Sequence, residues 1–134
     1  MGKVRGFLTK YGFPVDQLLL KDWRLQTSAS QILELSACID VNTSANSLRA
    51  HLVAEETGEL LMGLAQGNRL EVLDALADLV YVTLGTAVAF GLPLREAFDE
   101  VHRSNMTKLL VEGRPGHPGK GLGYSPPNLE QFLS

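Results

Sequence analysis

Apolar residues recur every three or four positions along most of the chain, which is the period of an amphipathic α-helix, and the alternating pattern of a strand is nearly absent. The two longest periodic stretches predict helices at about residues 45–66 and 69–90, joined by a tight turn at Gly67. Shorter helices are predicted at residues 4–10, 28–41 and 94–109. The pattern predicts an all-α fold, in which the two long helices pack antiparallel and the others complete a four-helix-type bundle.

Capping residues mark the starts of these helices. Ser28, with a glutamine three residues later, and Asn68, with a glutamate three residues later, have the spacing of an N-cap and its partner. Thr43 to Asn46 offers cap residues for the first long helix. Glycine and proline then dominate the segment after Val111, so we expect a C-terminal loop over residues 111–134.

Length and composition indicate one domain with its own core, because 134 residues that are 45% hydrophobic match the size and apolar content of a single domain. We expect a single domain over residues 1–134, with its core at about 45–110. Fifteen acidic and twelve basic residues give a net charge of −3, and the two signs are interspersed. This balance argues against nucleic acid or a membrane as a partner.

The chain has one cysteine, Cys38, so an internal disulfide is excluded, and its apolar context predicts a small buried residue in a reducing compartment. The longest apolar run, from Leu79 to Leu94, is interrupted by glycine, threonine and proline and is shorter than the ~20 residues that span a bilayer. The first residues lack the apolar run of a signal peptide. We therefore expect a cytoplasmic protein.

Acidic residues share a face with leucines on the first long helix. At about 100° per residue, Glu55 and Glu59 fall on the arc that carries Leu48 and Leu52, with Glu56 beside it. Such a face is partly buried when the helix packs on a neighbour. These acids are therefore candidates for chemistry.

A second acidic stripe, formed by Asp74, Asp78 and Glu71, lies on the next helix. In an antiparallel hairpin the two stripes face each other, and repulsion with desolvation would raise the carboxylate pKa values. A divalent cation removes that conflict, and oxygen ligands favour Mg²⁺ or Mn²⁺. A di-iron centre would need Glu-x-x-His on two helices, which this chain lacks.

A solvated acidic face is the simplest alternative for any helix with several acids. For Glu71 helix capping is a sufficient explanation. Glu55 is a candidate metal ligand, general base or positioning group, and His51, one turn earlier, is more suited to orienting a neighbour than to binding metal.

Four stretches resemble the all-α nucleoside triphosphate pyrophosphohydrolases, the MazG-like group related to dimeric dUTPases and phosphoribosyl-ATP pyrophosphohydrolases. These stretches are EETGE, DALADLVYV, EVHRSNMTKL and KGLGYSPPNL, and the resemblance covers about residues 45 to 130. The first matches the family's Glu-Glu-x-x-Glu pattern, and the second resembles Glu-x-x-Asp, of which only the aspartate, Asp78, is present. Ala75 stands where the family has glutamate, and Asp74 is the obvious substitute.

The resemblance implies hydrolysis of a nucleoside triphosphate between its α and β phosphates, which gives the monophosphate and pyrophosphate. A deoxynucleotide, including dUTP or a modified-base form, is the expected substrate in nucleotide-pool house-cleaning. The predicted metal ligands, for Mg²⁺ with Mn²⁺ as an alternative, are Glu56, Glu59, Asp74 and Asp78. The predicted catalytic residues are Glu55 and Glu56, and the predicted substrate-binding residues are Asn105, Lys108, Lys120 and Tyr81. Arg103 is spaced to pair with Asp99.

The second long helix is apolar on more than one side, since Leu73, Leu76, Val80 and Leu84 cover an arc that a small domain can hardly bury alone. A homodimer or homotetramer is therefore expected, as the resemblance also implies. Three other functions stay open. They are a phosphoribosyl-ATP pyrophosphohydrolase, a regulator that binds metal or nucleotide without catalysis, and a purely structural helical module.

Overall fold

The computed structural model describes residues 1–133, which form five α-helices and no strand beyond one isolated antiparallel bridge between Leu109 and Gly119. The helices are α1 (Gly2–Lys10), α2 (Gln26–Ala37), α3 (Ala45–Gln66), α4 (Arg69–Ala89) and α5 (Leu94–Asn105). Two 3-10 turns lie at Trp23–Leu25 and Glu130–Phe132. The all-α fold class is confirmed, and both long helices lie where the sequence predicts them.

The chain forms two compact units. The hairpin unit, Leu18–Gly91, contains α2, α3 and α4, and α2 and α4 both pack against α3 as in a helical bundle. The terminal unit consists of Met1–Gln17 and the residues from 92 onward, and it contains α1, α5 and the C-terminal loop. The assignment of residues 1–134 to one domain stays a prediction.

The predicted tight turn at Gly67 is confirmed. Gly67 has a φ of 64°, in the left-handed region that favours glycine, and the backbone N–H of Asn68 donates to the Gly63 carbonyl at 3.0 Å. The Asn68 side chain then accepts hydrogen bonds from the backbone N–H groups of Leu70 and Glu71, which caps α4. Because the connection is two residues long, α3 and α4 run antiparallel.

Small residues allow α3 to approach both of its neighbours closely. A Cβ atom on Gly58 would lie 2.7 Å from the side chain of Leu33 on α2, and one on Gly63 would lie 3.1 Å from Val72 on α4. Ala75 is buried on α4. Larger side chains at these positions would push the helices apart, so the residue sizes keep the acidic stretches of α3 and α4 near one another.

The predicted start of α2 at Ser28 is wrong. Asp22 caps the 3-10 turn Trp23–Leu25 by accepting a hydrogen bond from the backbone N–H of Arg24, and α2 follows this turn directly from Gln26. Ser28 is therefore an exposed residue in the first turns of the helix. Because Asp22 already caps the start of this helical segment, the capping-box spacing at Ser28 has no structural role.

Two other expectations are corrected at helix ends. α5 ends at Asn105 instead of near Leu109, because the backbone N–H and carbonyl of Leu109 pair with Gly119 at 2.8 and 2.9 Å and cannot also pair within a helix. Cys38 follows the last residue of α2 and is exposed, whereas its apolar context predicts burial.

An exposed apolar stripe runs along α4. Its members are Leu70, Leu73, Leu76, Val80, Leu84 and Val88, which share an arc of roughly 120° and are each between 45% and 82% exposed in the single chain. By length and composition α4 is also the one helix within residues 1–133 that could cross a membrane. Three carboxylates in its first half argue against that placement, because a charged side chain in a bilayer is costly.

Candidate functional site

The middle of α3 carries three glutamates, and two of them, Glu56 and Glu59, lie near the seam, the line of contact between α3 and α4, because the charges of Asp74 and Asp78 act on them. Glu55 and Glu56 are half-buried, and Glu59 is exposed. Across the seam, Asp74 and Asp78 are exposed on α4, beside the buried Ala75. The two acidic stretches predicted from sequence therefore belong to one helical hairpin.

Glu56 is the least satisfied carboxylate of the hairpin. Its Oε2 atom is buried and has no hydrogen-bond partner within residues 1–133. Burial raises the pKa of Glu56, and the negative charges of Glu59 and Asp78 raise it further. A buried oxygen without a donor is rare in folded proteins and needs an explanation.

The charges of the two helices act on each other across the seam. Although Glu59 is exposed, neighbouring atoms remove part of the water around its carboxylate, which raises its pKa, and the carboxylates of Glu55, Asp78 and Asp74 raise it further. Asp74 also adds to the upward pKa shift of Glu56. The carboxylates are thus close enough to disfavour each other's ionised forms, which is the conflict that a bound cation resolves.

Within the described residues, no three histidine, cysteine, aspartate or glutamate side chains converge into a ready-made metal cage in their present orientations. The donor set nevertheless fits a hard divalent cation. Mg²⁺ is commonly held by one or two carboxylates and completes its shell with water and phosphate oxygens, and the unpaired Glu56 oxygen is a free ligand atom. The metal-ligand roles of Glu56, Glu59, Asp74 and Asp78 stay predictions.

The structure shows where Ala75, the residue that departs from the family pattern, lies on α4. Ala75 is 2% exposed, so it lies on the buried side of α4, while Asp74 next to it is exposed. A glutamate at position 75 would have to fit a side chain between closely packed helices. The carboxylate of Asp74 avoids that constraint, and its charge still reaches both Glu56 and Glu59.

His51 connects α2, α3 and the acidic stretch. Its Nδ1 atom lies 2.7 Å from the carbonyl oxygen of Ser36 and donates to it, because a carbonyl can only accept. Its Nε2 atom lies 3.6 Å from an oxygen of Glu55. The imidazole is thus held by α2 and faces Glu55, and its orienting role stays a prediction.

The predicted substrate-binding residues fall in both units. Tyr81 lies on α4 and is 78% exposed. Asn105 is the last residue of α5 and Lys108 follows three residues later, and neither side chain has a hydrogen-bond partner within residues 1–133. The Lys120 ammonium lies 5.1 Å from the ring centre of Tyr124 in the C-terminal loop. The terminal unit thus contains all three predicted phosphate donors, and the hairpin unit contains the carboxylates.

The predicted ion pair of Arg103 with Asp99 is wrong. Arg103 pairs with Glu100 through two hydrogen bonds of 2.8 Å, while Asp99 pairs with Lys3 at 2.6 Å. Glu100 lies one turn away from Arg103 on the side of α5 that the C-terminal loop covers, and the two planar groups can align there.

The Glu100–Arg103 pair fastens the C-terminal loop to α5. Arg103 also donates to the Ser125 hydroxyl at 3.0 Å and to the Pro126 carbonyl at 3.1 Å, and Glu100 accepts from the Asn128 backbone N–H at 2.9 Å. These hydrogen bonds, led by those from Arg103, lower the pKa of Glu100 to about 2.

Acid should therefore release the C-terminal loop. Because the pKa of Glu100 is lower in the folded protein, its stabilising effect is complete above the unfolded pKa of about 4.5 and is lost as the pH falls from there toward about 2. We expect wild type to melt above Glu100→Gln at about pH 6 and the difference to shrink by about pH 3. Thermal melts of both proteins across this range measure it.

Glu112→Gln in the same unit is the matched control, because the Glu112 carboxylate is exposed and makes no ion pair within the described residues. Its melting temperature should stay near that of wild type at every pH. A Glu100→Gln difference that does not change with pH would contradict the assignment of this carboxylate as the acid-sensitive link.

The fold and the site together define a class of protein. The chain is all-α and carries carboxylates on two antiparallel helices, as the all-α nucleoside triphosphate pyrophosphohydrolases do. The model of the phosphoribosyl-ATP pyrophosphohydrolase family matches residues 36–105, just over half of the chain. The chain belongs to this family, and the resemblance seen in the sequence is confirmed. The match includes all five candidate carboxylates and Asn105. Membership supports a nucleotide pyrophosphohydrolase type of activity in broad terms.

Among curated proteins, the chain is similar to an uncharacterized protein of Acanthamoeba polyphaga mimivirus. The two are 33% identical over 86 residues, which cover 64% of this chain and 31% of the viral protein. The chain therefore spans about a third of the length of this relative. No solved structure matched the chain.

Proposed function

We propose that the protein hydrolyses a nucleoside triphosphate to the monophosphate and pyrophosphate in the presence of Mg²⁺, as part of cytoplasmic nucleotide-pool house-cleaning. The observation that carries the proposal is the buried, unpartnered oxygen of Glu56 among the mutually repelling carboxylates of α3 and α4. Family membership supports the type of reaction. A deoxynucleotide, including dUTP or a modified-base form, is the proposed substrate.

In this mechanism the chain's residues divide into three roles. A bound Mg²⁺ would neutralise phosphate charge and make an attacking water more acidic. Glu56, Glu59, Asp74 and Asp78 would hold the cation through their carboxylate oxygens. Glu55, which the His51 imidazole faces at 3.6 Å, would accept a proton from the attacking water.

The third role belongs to donors that bind the phosphate chain. Asn105 offers an amide and Lys108 and Lys120 offer ammonium groups, all suited to phosphate oxygens. Tyr81 can stack on the base or donate to the sugar. Asn105, Lys108 and Lys120 would each bind oxygens of the phosphate chain.

A substrate panel scored by pyrophosphate release tests the proposal. We expect turnover of at least one deoxynucleoside triphosphate with Mg²⁺ and none when the cation is chelated. Turnover of phosphoribosyl-ATP alone would assign the reaction for which the family is named. Binding of nucleotides without pyrophosphate release would instead identify a regulator.

Asp74→Asn tests whether this aspartate substitutes for the missing glutamate. Its charge reaches Glu56 and Glu59, so removing it should weaken Mg²⁺ binding, by about 10-fold if it is a ligand that water can partly replace. Calorimetric titration of Mg²⁺ measures the effect. Glu34→Gln on α2 is the control, since Glu34 is exposed and does not contribute to the pKa shift of Glu56 or Glu59. Equal Mg²⁺ affinity in wild type and Asp74→Asn would exclude Asp74 as a ligand.

We further propose that a second copy of the chain covers the apolar stripe of α4. The stripe runs the length of a 21-residue helix, and contiguous exposed apolar surface of this kind is rare on monomers. Asp74 and Asp78 lie beside the stripe on the same helix, so a partner would also shield one side of the carboxylates from water. The mass of the assembly measured by light scattering decides whether two such dimers form a tetramer.

A further inference from the structure

The N-terminal segment contains the most completely buried large side chain of the described chain, Tyr11. Tyr11 directly follows α1, and its ring lies 4.8 Å from that of Phe7. Apolar packing explains the ring, but it does not explain the hydroxyl. A buried hydroxyl group needs a hydrogen-bond partner, and the position of that partner shows what the tyrosine does.

The Tyr11 hydroxyl lies between two backbone carbonyls of the turn that follows α5. It is 3.0 Å from the carbonyl oxygen of Asn105 and 2.5 Å from that of Lys108. The hydroxyl has one proton and lies within hydrogen-bond distance of both carbonyls, so the position of Tyr11 constrains the separation of the two residues. Their side chains are the proposed phosphate donors of the terminal unit.

Other contacts hold the same turn from different sides. The Lys10 ammonium donates to the Met106 carbonyl at 2.6 Å, and the Thr107 hydroxyl accepts from the Ser125 backbone N–H at 2.8 Å. Every residue from Asn105 to Lys108 is therefore held by a group distant in sequence. Such a frame limits the rotation of the backbone from which the two donor side chains project.

We propose that Tyr11 is a positioning residue for phosphate binding, which fixes the Asn105–Lys108 turn so that its amide and ammonium groups meet adjacent phosphate oxygens. This rests on the proposed function, because it assigns Tyr11 an effect only through those two donors. It also gives a role to the first residues of the chain, which lie outside the segment that matches the family.

Tyr11→Phe separates this role from packing. Phenylalanine keeps the ring beside Phe7 and removes only the hydroxyl, so the two carbonyls lose their shared donor. Inorganic tripolyphosphate with Mg²⁺ is the probe, because it presents the phosphate chain without a base or sugar. We expect Tyr11→Phe to weaken its affinity about 5-fold in calorimetric titration, the effect of one lost hydrogen bond.

Phe7→Leu is the matched packing control. It loosens the same aromatic cluster without touching either carbonyl, so its melting temperature should fall while its tripolyphosphate affinity stays within about 2-fold of wild type. Lys108→Ala should weaken binding by about 10-fold. In the double variant, Tyr11→Phe should weaken binding less than it does in wild type, because one of the two donors through which the hydroxyl acts has been removed.

Three outcomes would overturn the inference. The first is an unchanged affinity in Tyr11→Phe while Lys108→Ala weakens binding, which leaves the proposed function intact. The second is an equal weakening in Tyr11→Phe and Phe7→Leu, which would show that packing alone matters. The third is an unchanged affinity in Lys108→Ala, which would remove the phosphate-binding role of this turn and the inference together.

Discussion

Glu59→Gln should reduce kcat/KM about 10³-fold and abolish the response of the protein to Mg²⁺. Glutamine keeps the volume of the side chain and removes the negative charge that binds a cation. A loss of about 4 kcal/mol in transition-state stabilisation lowers the rate by about three powers of ten. Glu59 is exposed and its charge already repels its neighbours, so the helices should stay intact. Circular dichroism and steady-state kinetics measure both effects.

The Mg²⁺ response itself is measured by melting. A cation that binds only the folded form at 100 times its Kd adds about 2.7 kcal/mol, or roughly 10 °C for a chain of this size. Glu34→Gln on α2 is the control, since its carboxylate is exposed and makes no ion pair within residues 1–133. It should melt and turn over as wild type does. Normal turnover by Glu59→Gln would remove this residue from the site.

Val80→Glu should convert the wild-type assembly into monomers. Val80 is central in the apolar stripe and is 58% exposed in the single chain, so a glutamate there is tolerated by the isolated fold and becomes costly only when a partner covers it. An unpaired buried charge costs about 3 kcal/mol or more, which weakens association by more than about 100-fold. Light scattering should give at least twice the chain mass of 14.6 kDa for wild type.

Leu122→Glu is the matched control for this change. Leu122 is fully exposed in the C-terminal loop and lies outside the stripe, so the same exchange of an apolar residue for an acid should leave the assembly unchanged. A wild-type protein that is monomeric at micromolar concentration would contradict a second copy on α4. So would a Val80→Glu variant that keeps the mass of wild type.

Local signals in the sequence were sufficient to predict the hairpin of α3 and α4. The stop at Gly67 and the cap at Asn68 act within a few residues, and both are found where the sequence predicts them. The acidic stretches could be placed on facing helices for the same reason, because a two-residue turn leaves one arrangement for two long helices. Their periodicity then decides which side chains lie beside the seam.

Interactions between residues distant in the sequence could not be predicted from such local signals. Ser28 has the spacing of a cap, but the turn that Asp22 caps had already started the helix. Tyr11 contacts carbonyls 94 and 97 residues away, and no periodicity in its neighbours indicates this. Arg103 had acidic residues both three and four positions earlier, and the loop that packs over α5 decided between them.

The products of hydrolysis test the central claim most directly. Phosphorus NMR of a dUTP reaction with Mg²⁺ should show dUMP and pyrophosphate appearing together, with neither formed when the cation is chelated or when Glu59 is replaced by glutamine. Orthophosphate with dUDP as the products, or an equal rate without a divalent cation, would contradict a site in which the carboxylates of α3 and α4 bind a metal for attack between the α and β phosphates.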